Sequence, residues 1–158
     1  MSKSKSPNED YIIRIKSSVE QFESNGSAAE EEADRIELMT RGSLVKKGSS
    51  YYISYKETQT IGFEGCTTTI KIAEDGSRVA LLRFGRANAQ LMIERGRRNL
   101  CHYETDVGSL TLGVTGDGIE CALTEKGGRA TFSYLLDADD PISIINRNTL
   151  EISVQKPN

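Results

Sequence analysis

Hydrophobic and polar positions alternate with a period of two along most of this chain, and the pattern is clearest between Tyr51 and Ile72. Tyr51, Ile53, Tyr55 and Glu57 fall on one face of a first strand, and Tyr52, Ser54 and Lys56 on the other. In a second strand Cys66, Thr68, Ile70 and Ile72 share a face, while Thr67, Thr69 and Lys71 look the opposite way. A period of two assigns each strand one buried and one wet face. Aromatic and β-branched residues dominate both, as a pleated surface prefers. Gly62 and Gly65 bracket the join, where the backbone has use for positive φ. Glu57 is the exception in the pattern, a carboxylate on the face that otherwise carries apolar residues and tyrosines.

The same rhythm predicts strands through the rest of the chain. Tyr11, Ile13, Ile15, Ser17 and Val19 share a face, and a second strand over 35–46 carries Ile36, Leu38, Thr40, Gly42 and Leu44 in phase. Between them, 23–34 is acidic and rich in Ser and Ala, and reads as a mobile loop. Residues 1–9 read as a disordered tail. After the central pair, Glu74-Asp75-Gly76 signals a turn. Strands follow at Arg78–Phe84, Gln90–Arg95 and Arg97–Thr105. Turns are expected at Asp106-Val107-Gly108, Gly116-Asp117-Gly118, Lys126-Gly127-Gly128 and Asp137 to Pro141, separating strands built on Leu110–Val114, Ile119–Leu123 and Ala130–Leu136. A long last strand runs from Ile142 to Val154, with a bend expected at Asn146 to Asn148. About ten short-looped strands with no helix favour an antiparallel sandwich or barrel. Periodicity alone does not choose between them.

Composition narrows the chemistry. A chain of 158 residues fits one domain, here 10–156, and folding at that size buries roughly 70% of the surface. The net charge of −3 is not the footprint of a nucleic-acid binder. The N-terminus lacks the apolar run of a signal peptide, and no stretch approaches the ~20 apolar residues of a membrane helix. Neither nucleic acid nor membrane is therefore an expected partner. Cys66, Cys101 and Cys121 are odd in number and form no CxxC, which points to a reducing, cytoplasmic setting and to thiols buried as small hydrophobes. A single histidine, His102, excludes multi-histidine zinc sites, and alternation turns it outward from Cys101 and Tyr103. The glycines at 113, 116 and 118 lack the spacing and following helix of a phosphate loop. No cofactor and no metal site is expected, and no catalytic constellation marks the chain as an enzyme.

Five segments in order, YYISYKET, GFEGCTTTIKI, LLRFG, CHYETDVGSLTLGV and NTLEISV, resemble the bacterial DUF1934 family, the YwiB-like proteins. The resemblance runs from about Tyr11 to Val154 and rests on the series rather than on any one motif. It implies a closed antiparallel meander β-barrel of about 8–10 strands, similar to calycins and lipocalins, and leaves activity open. The matching positions are Tyr55, Glu57, Gly65, Thr68, Arg83, Gly85, Tyr103, Thr105 and Gly108. Cys66 and Phe84 depart from the pattern, where the family is expected to carry a threonine and a small polar residue.

In such a barrel Glu57 and Arg83 point inward, where a lone charge is costly and a paired one is tolerable. Tyr55, Thr68, Tyr103, Thr105, Asn146 and Asn148 are in phase to supply polar partners. These eight residues are the candidate ligand-binding set. The arrangement fits an interior ion pair that only fixes register, or a site at the barrel mouth for a small anionic or amphipathic ligand. Arginine suits carboxylate or phosphate because its fork is bidentate. The alternative is a protein-interaction or scaffold module with a filled interior, whose partner is another protein or a second copy. The basic hairpin at Arg95, Arg97 and Arg98 reads as a solvated tip.

Overall fold

The computed structural model describes residues 11–21, 34–56, 66–85, 88–105, 108–139 and 144–157. The expected tail, the acidic loop at 23–34 except Asp34, which opens a strand, and Glu57, Gly62 and Gly65 lie outside these. The described chain forms ten strands: β1 (Tyr11–Gln21), β2 (Asp34–Lys47), β3 (Ser50–Lys56), β4 (Thr67–Ala73), β5 (Arg78–Phe84), β6 (Asn88–Glu94), β7 (Arg98–Thr105), β8 (Gly108–Thr124), β9 (Gly127–Asp137) and β10 (Ile144–Gln155). Each pairs antiparallel with its neighbours in sequence, and β1 pairs with β10, so the meander closes into a barrel. The closing seam runs from Ile12 opposite Gln155 to Gln21 opposite Asn146. Closure leaves no edge strand to template association. Among the described residues no helix is long and apolar enough to cross a membrane.

Alternation decides what fills the barrel. Ile13, Ile53, Ile70, Ile72, Val79, Ile93, Val114, Phe132 and Ile152 come from eight strands and are completely or almost completely buried. Branched residues dominate because a pleated wall holds them in few rotamers. The two ends of the barrel differ. At the end carrying the β2–β3, β4–β5, β6–β7 and β8–β9 turns the lining is apolar. At the opposite end the inward positions turn polar.

The structure revises two sequence expectations. Gly116-Asp117-Gly118 is not a turn between two strands. It lies within the 17-residue strand β8, where the register against β9 shifts between Gly116 and Ile119. A glycine pair around Asp serves a bulge as readily as a turn. Asp137, expected to open an acidic turn running to Pro141, instead ends β9, 3% exposed, and Asp140 and Pro141 lie outside the described residues. The basic hairpin is exposed at Arg95, Gly96 and Arg97, as expected of a solvated tip, but two of its guanidiniums are tied down. The Arg95 guanidinium donates to the carbonyls of Gly76 (3.1 Å) and Ile119 (3.0 Å), and Arg98 engages Asp137. The irregularity in the last strand is a register shift between Ile144 and Asn146, just ahead of the bend expected at Asn146 to Asn148, where the ladder runs regularly.

Candidate functional site

The polar end is built by one continuous ladder row. Tyr55 on β3 faces Thr68 on β4, Thr68 faces Arg83 on β5, Arg83 faces Ala89 on β6, and Ala89 faces Tyr103 on β7. Because each of these residues lies on the inward parity of its strand, register alone brings Tyr55, Thr68, Arg83 and Tyr103 together. Thr68 is fully buried and Tyr55 nearly so. Arg83 Nε donates to Thr68 Oγ1 at 3.2 Å. That bond fixes the guanidinium plane at the barrel end, since Nε cannot move without moving the whole fork.

Across the barrel, β10 contributes Asn146 and Asn148, where Asn148 Nδ2 donates to Asn146 Oδ1 at 2.7 Å. Asn148 is the register partner of Tyr134 on β9. Thr105 ends β7 by backbone pairing with Gly108. Glu57, the expected partner of Arg83, lies outside the described residues.

Tyr134 was not singled out by the sequence, yet it belongs to this end. Its ring stacks on Phe132, with centroids 6.4 Å apart. Burial pushes its phenol up to about 12, Arg83 pulls the other way, and Tyr103 adds to the rise. The phenol is therefore a neutral hydrogen-bond donor across the physiological range. The signal was present in the alternation Ala130, Phe132, Tyr134, Leu136, but a strand row does not show which cross-barrel residues it meets.

A cavity of about 80 Å³ opens beside Arg83 and Tyr55, with Ser17 as a further polar group and Ile15, Leu38 and Leu150 among its apolar walls. The lining thus sets one guanidinium, one phenol and one hydroxyl against an apolar wall. His102 is exposed, as alternation predicted, and takes no part.

The fold matches the crystal structure of the ywiB protein from Bacillus subtilis, with a TM-score of 0.75 and 20% identity, covering 94% of this chain and 92% of that one. At this identity the likeness speaks to the fold. No curated protein matches the chain. Residues 21–152 match the domain of unknown function DUF1934, and over that span, most of the barrel, the chain belongs to this family.

Proposed function

We propose that this protein binds a small anionic or amphipathic molecule at the polar end of its barrel, with Arg83 receiving a carboxylate or phosphate. The observation that carries the reading is Arg83 held by Thr68 beside a cavity walled by Tyr55 and apolar side chains. Tyr134 and Tyr103 lie close enough to Arg83 to act within the same electrostatic group. This placement supports a calycin-like mode of use, with the ligand entering at one end. That Cys66, Cys101 and Cys121 form no disulfide with one another supports residence in a reducing compartment such as the cytoplasm.

A second reading is favoured by the packed interior. Side chains fill the barrel below the polar end, so the protein is then an interaction module whose Arg83 only satisfies its own neighbours. Native mass spectrometry of gently purified protein, beside the same sample denatured, separates the two. The binding reading expects a retained small mass that denaturation releases and that Arg83→Ala weakens at least tenfold. A bare chain mass in every native preparation sinks it and favours the filled module.

A further inference from the structure

The barrel wall is split at one seam. β6 and β7 are laddered at Asn88–Glu104 and Ala89–Tyr103, and their far ends meet in a bridge between Glu94 and Arg97. Continuing the first register would set Glu94 against Arg98, so the two ends are one residue out of step. A ladder cannot run through such a mismatch. In the gap, side chains replace backbone partners. The Met92 N–H donates to Cys101 Sγ at 3.4 Å, and Asn99 Nδ2 donates to the Met92 carbonyl at 3.3 Å.

The split opens an external slot of about 420 Å³, within the ~300–1,000 Å³ span of small-molecule sites. Its lining combines the outward residues Leu82, Phe84, Met92 and Leu100 with Leu91 and Cys101, which have inward parity. Only an opened seam presents both sets to one space. Phe84, Met92 and Leu100 are 49%, 39% and 57% exposed, a concentration of large apolar groups in water.

Polarity is graded along the β6–β7 face of the slot: Asn88 and Glu104 face each other at one end, Gln90 and His102 come next, and Met92 and Leu100 occupy the far part, while on β5 Phe84 stands at the Asn88 end and Ala80 beside Met92. Among the described lining residues Glu104 carries the one formal charge, with no lysine or arginine beside it in the lining. We propose that the slot binds a small cationic amphiphile, its apolar tail against Met92 and Leu100 and its protonated amine at Glu104. Charge complementarity selects the head and the apolar far part selects the tail. The site is independent of the Arg83 pocket and opposite to it in charge preference.

Methyl-labelled methionine gives a local readout, because the chain has three methionines and Met39 lies on β2, away from the slot and exposed. Dodecylamine, titrated into the full chain below its aggregation threshold, is expected to shift the Met92 methyl signal saturably and to leave Met39 in place. Laurate should bind at least fivefold more weakly. Glu104→Gln should erase that difference, and Leu100→Gln should weaken dodecylamine about tenfold. Arg83→Ala should leave the titration unchanged, which separates this site from the barrel-end pocket. Leu100 is mostly exposed, so its substitution spares the fold, and an unmoved Met39 signal checks this. The proposal is overturned if Met92 and Met39 shift together, if laurate matches the amine, or if Leu100→Gln changes nothing. A Met92 shift that grows with protein concentration alone, and vanishes in Leu100→Gln, overturns it in favour of an interface between two copies.

Discussion

Gly113 lies beneath an ion pair. Arg98 reaches over it to Asp137, donating from Nε at 2.9 Å and from a terminal nitrogen at 2.8 Å. A methyl at position 113 would overlap both Asp137 carboxylate oxygens and come within 2.6 Å of Arg98 Nε. Relief requires the fork to part, which leaves a buried carboxylate short of its partner. Gly113→Ala should therefore cost about 2–4 kcal/mol, read as a lower urea midpoint at unchanged slope. An unchanged midpoint would show that the cradle has room to spare. Tyr134 carries a second prediction. Its phenol is neutral to about pH 12 when folded and ionises near 10.0 when exposed. The folded state thus favours the neutral form. Stability from this group is complete below pH 10 and is lost as pH climbs toward 12, by about 3 kcal/mol. Tyr134→Phe should lose less stability over that interval, and parallel pH curves for the two proteins would contradict the assignment. Neither role was legible in the sequence. Gly113 sits in an ordinary alternating run, and Asp137 stands before Asp139, Asp140 and Pro141, where turn chemistry is the local reading. The pairing of Arg98 with Asp137 spans 39 residues, beyond the reach of any local pattern.

The strands themselves were legible because their information is local. A period of two is clean in β3, β4 and β6, and the turns at 48, 76 and 96 each place a glycine at positive φ. Bulges were less legible, since an extra residue in one strand shows only against its partner. Gly116-Asp117-Gly118 reads as a turn in isolation. In the barrel, Gly116 packs against the Glu94 carbonyl so tightly that no side chain fits, and Gly96 N–H donates to the Gly116 carbonyl at 3.0 Å. This contact pins the tip of the β6–β7 hairpin to β8 while its middle stays unladdered. The candidate ligand set divides in the same way. Tyr55, Thr68, Arg83 and Tyr103 were found because each is in phase with the inward face of its strand, and one register row then joins them, whereas Tyr134 enters from across the barrel. The split hairpin yields a prediction at its own scale. Amides of Gln90, Met92, Leu100 and His102 should exchange with deuterium at least tenfold faster than those of Leu81, Ile93 and Val114. Strand ladders protect amides, and a sulfur or side-chain acceptor protects them less. Uniform protection across β6 and β7 would mean that the seam is closed in solution.

At the scale of the molecule, closure and polarity divide the labour. The β1–β10 seam joins residues as far apart as Ile12 and Gln155. Such a contact is costly in chain entropy before it returns any stability. What rewards it is the interior, where Ile13 and Ile15 on β1 meet Ile152 and Val154 on β10, all buried. Without β10 that apolar face and two strand edges, on β1 and β9, stand open together. A chain ending before Ile144 should therefore lose cooperative unfolding, expose dye-binding apolar surface and associate through its edges. Calorimetry and light scattering would register this, and a monomer with a sharp transition would show that nine strands suffice. The same seam bears on the polar end, because Asn146 and Asn148 stand at the start of β10 opposite the Arg83 row. Closing the barrel is thus what sets the asparagines and Tyr134 across from the guanidinium. A substitution that weakens the seam far from the polar end, such as Val154→Ala, should lower stability by about 1–3 kcal/mol. At temperatures where the barrel stays folded it should leave Arg83-dependent binding intact. Loss of binding from such a variant, with the barrel still folded, would instead mean that the polar end is assembled by strain carried along β10.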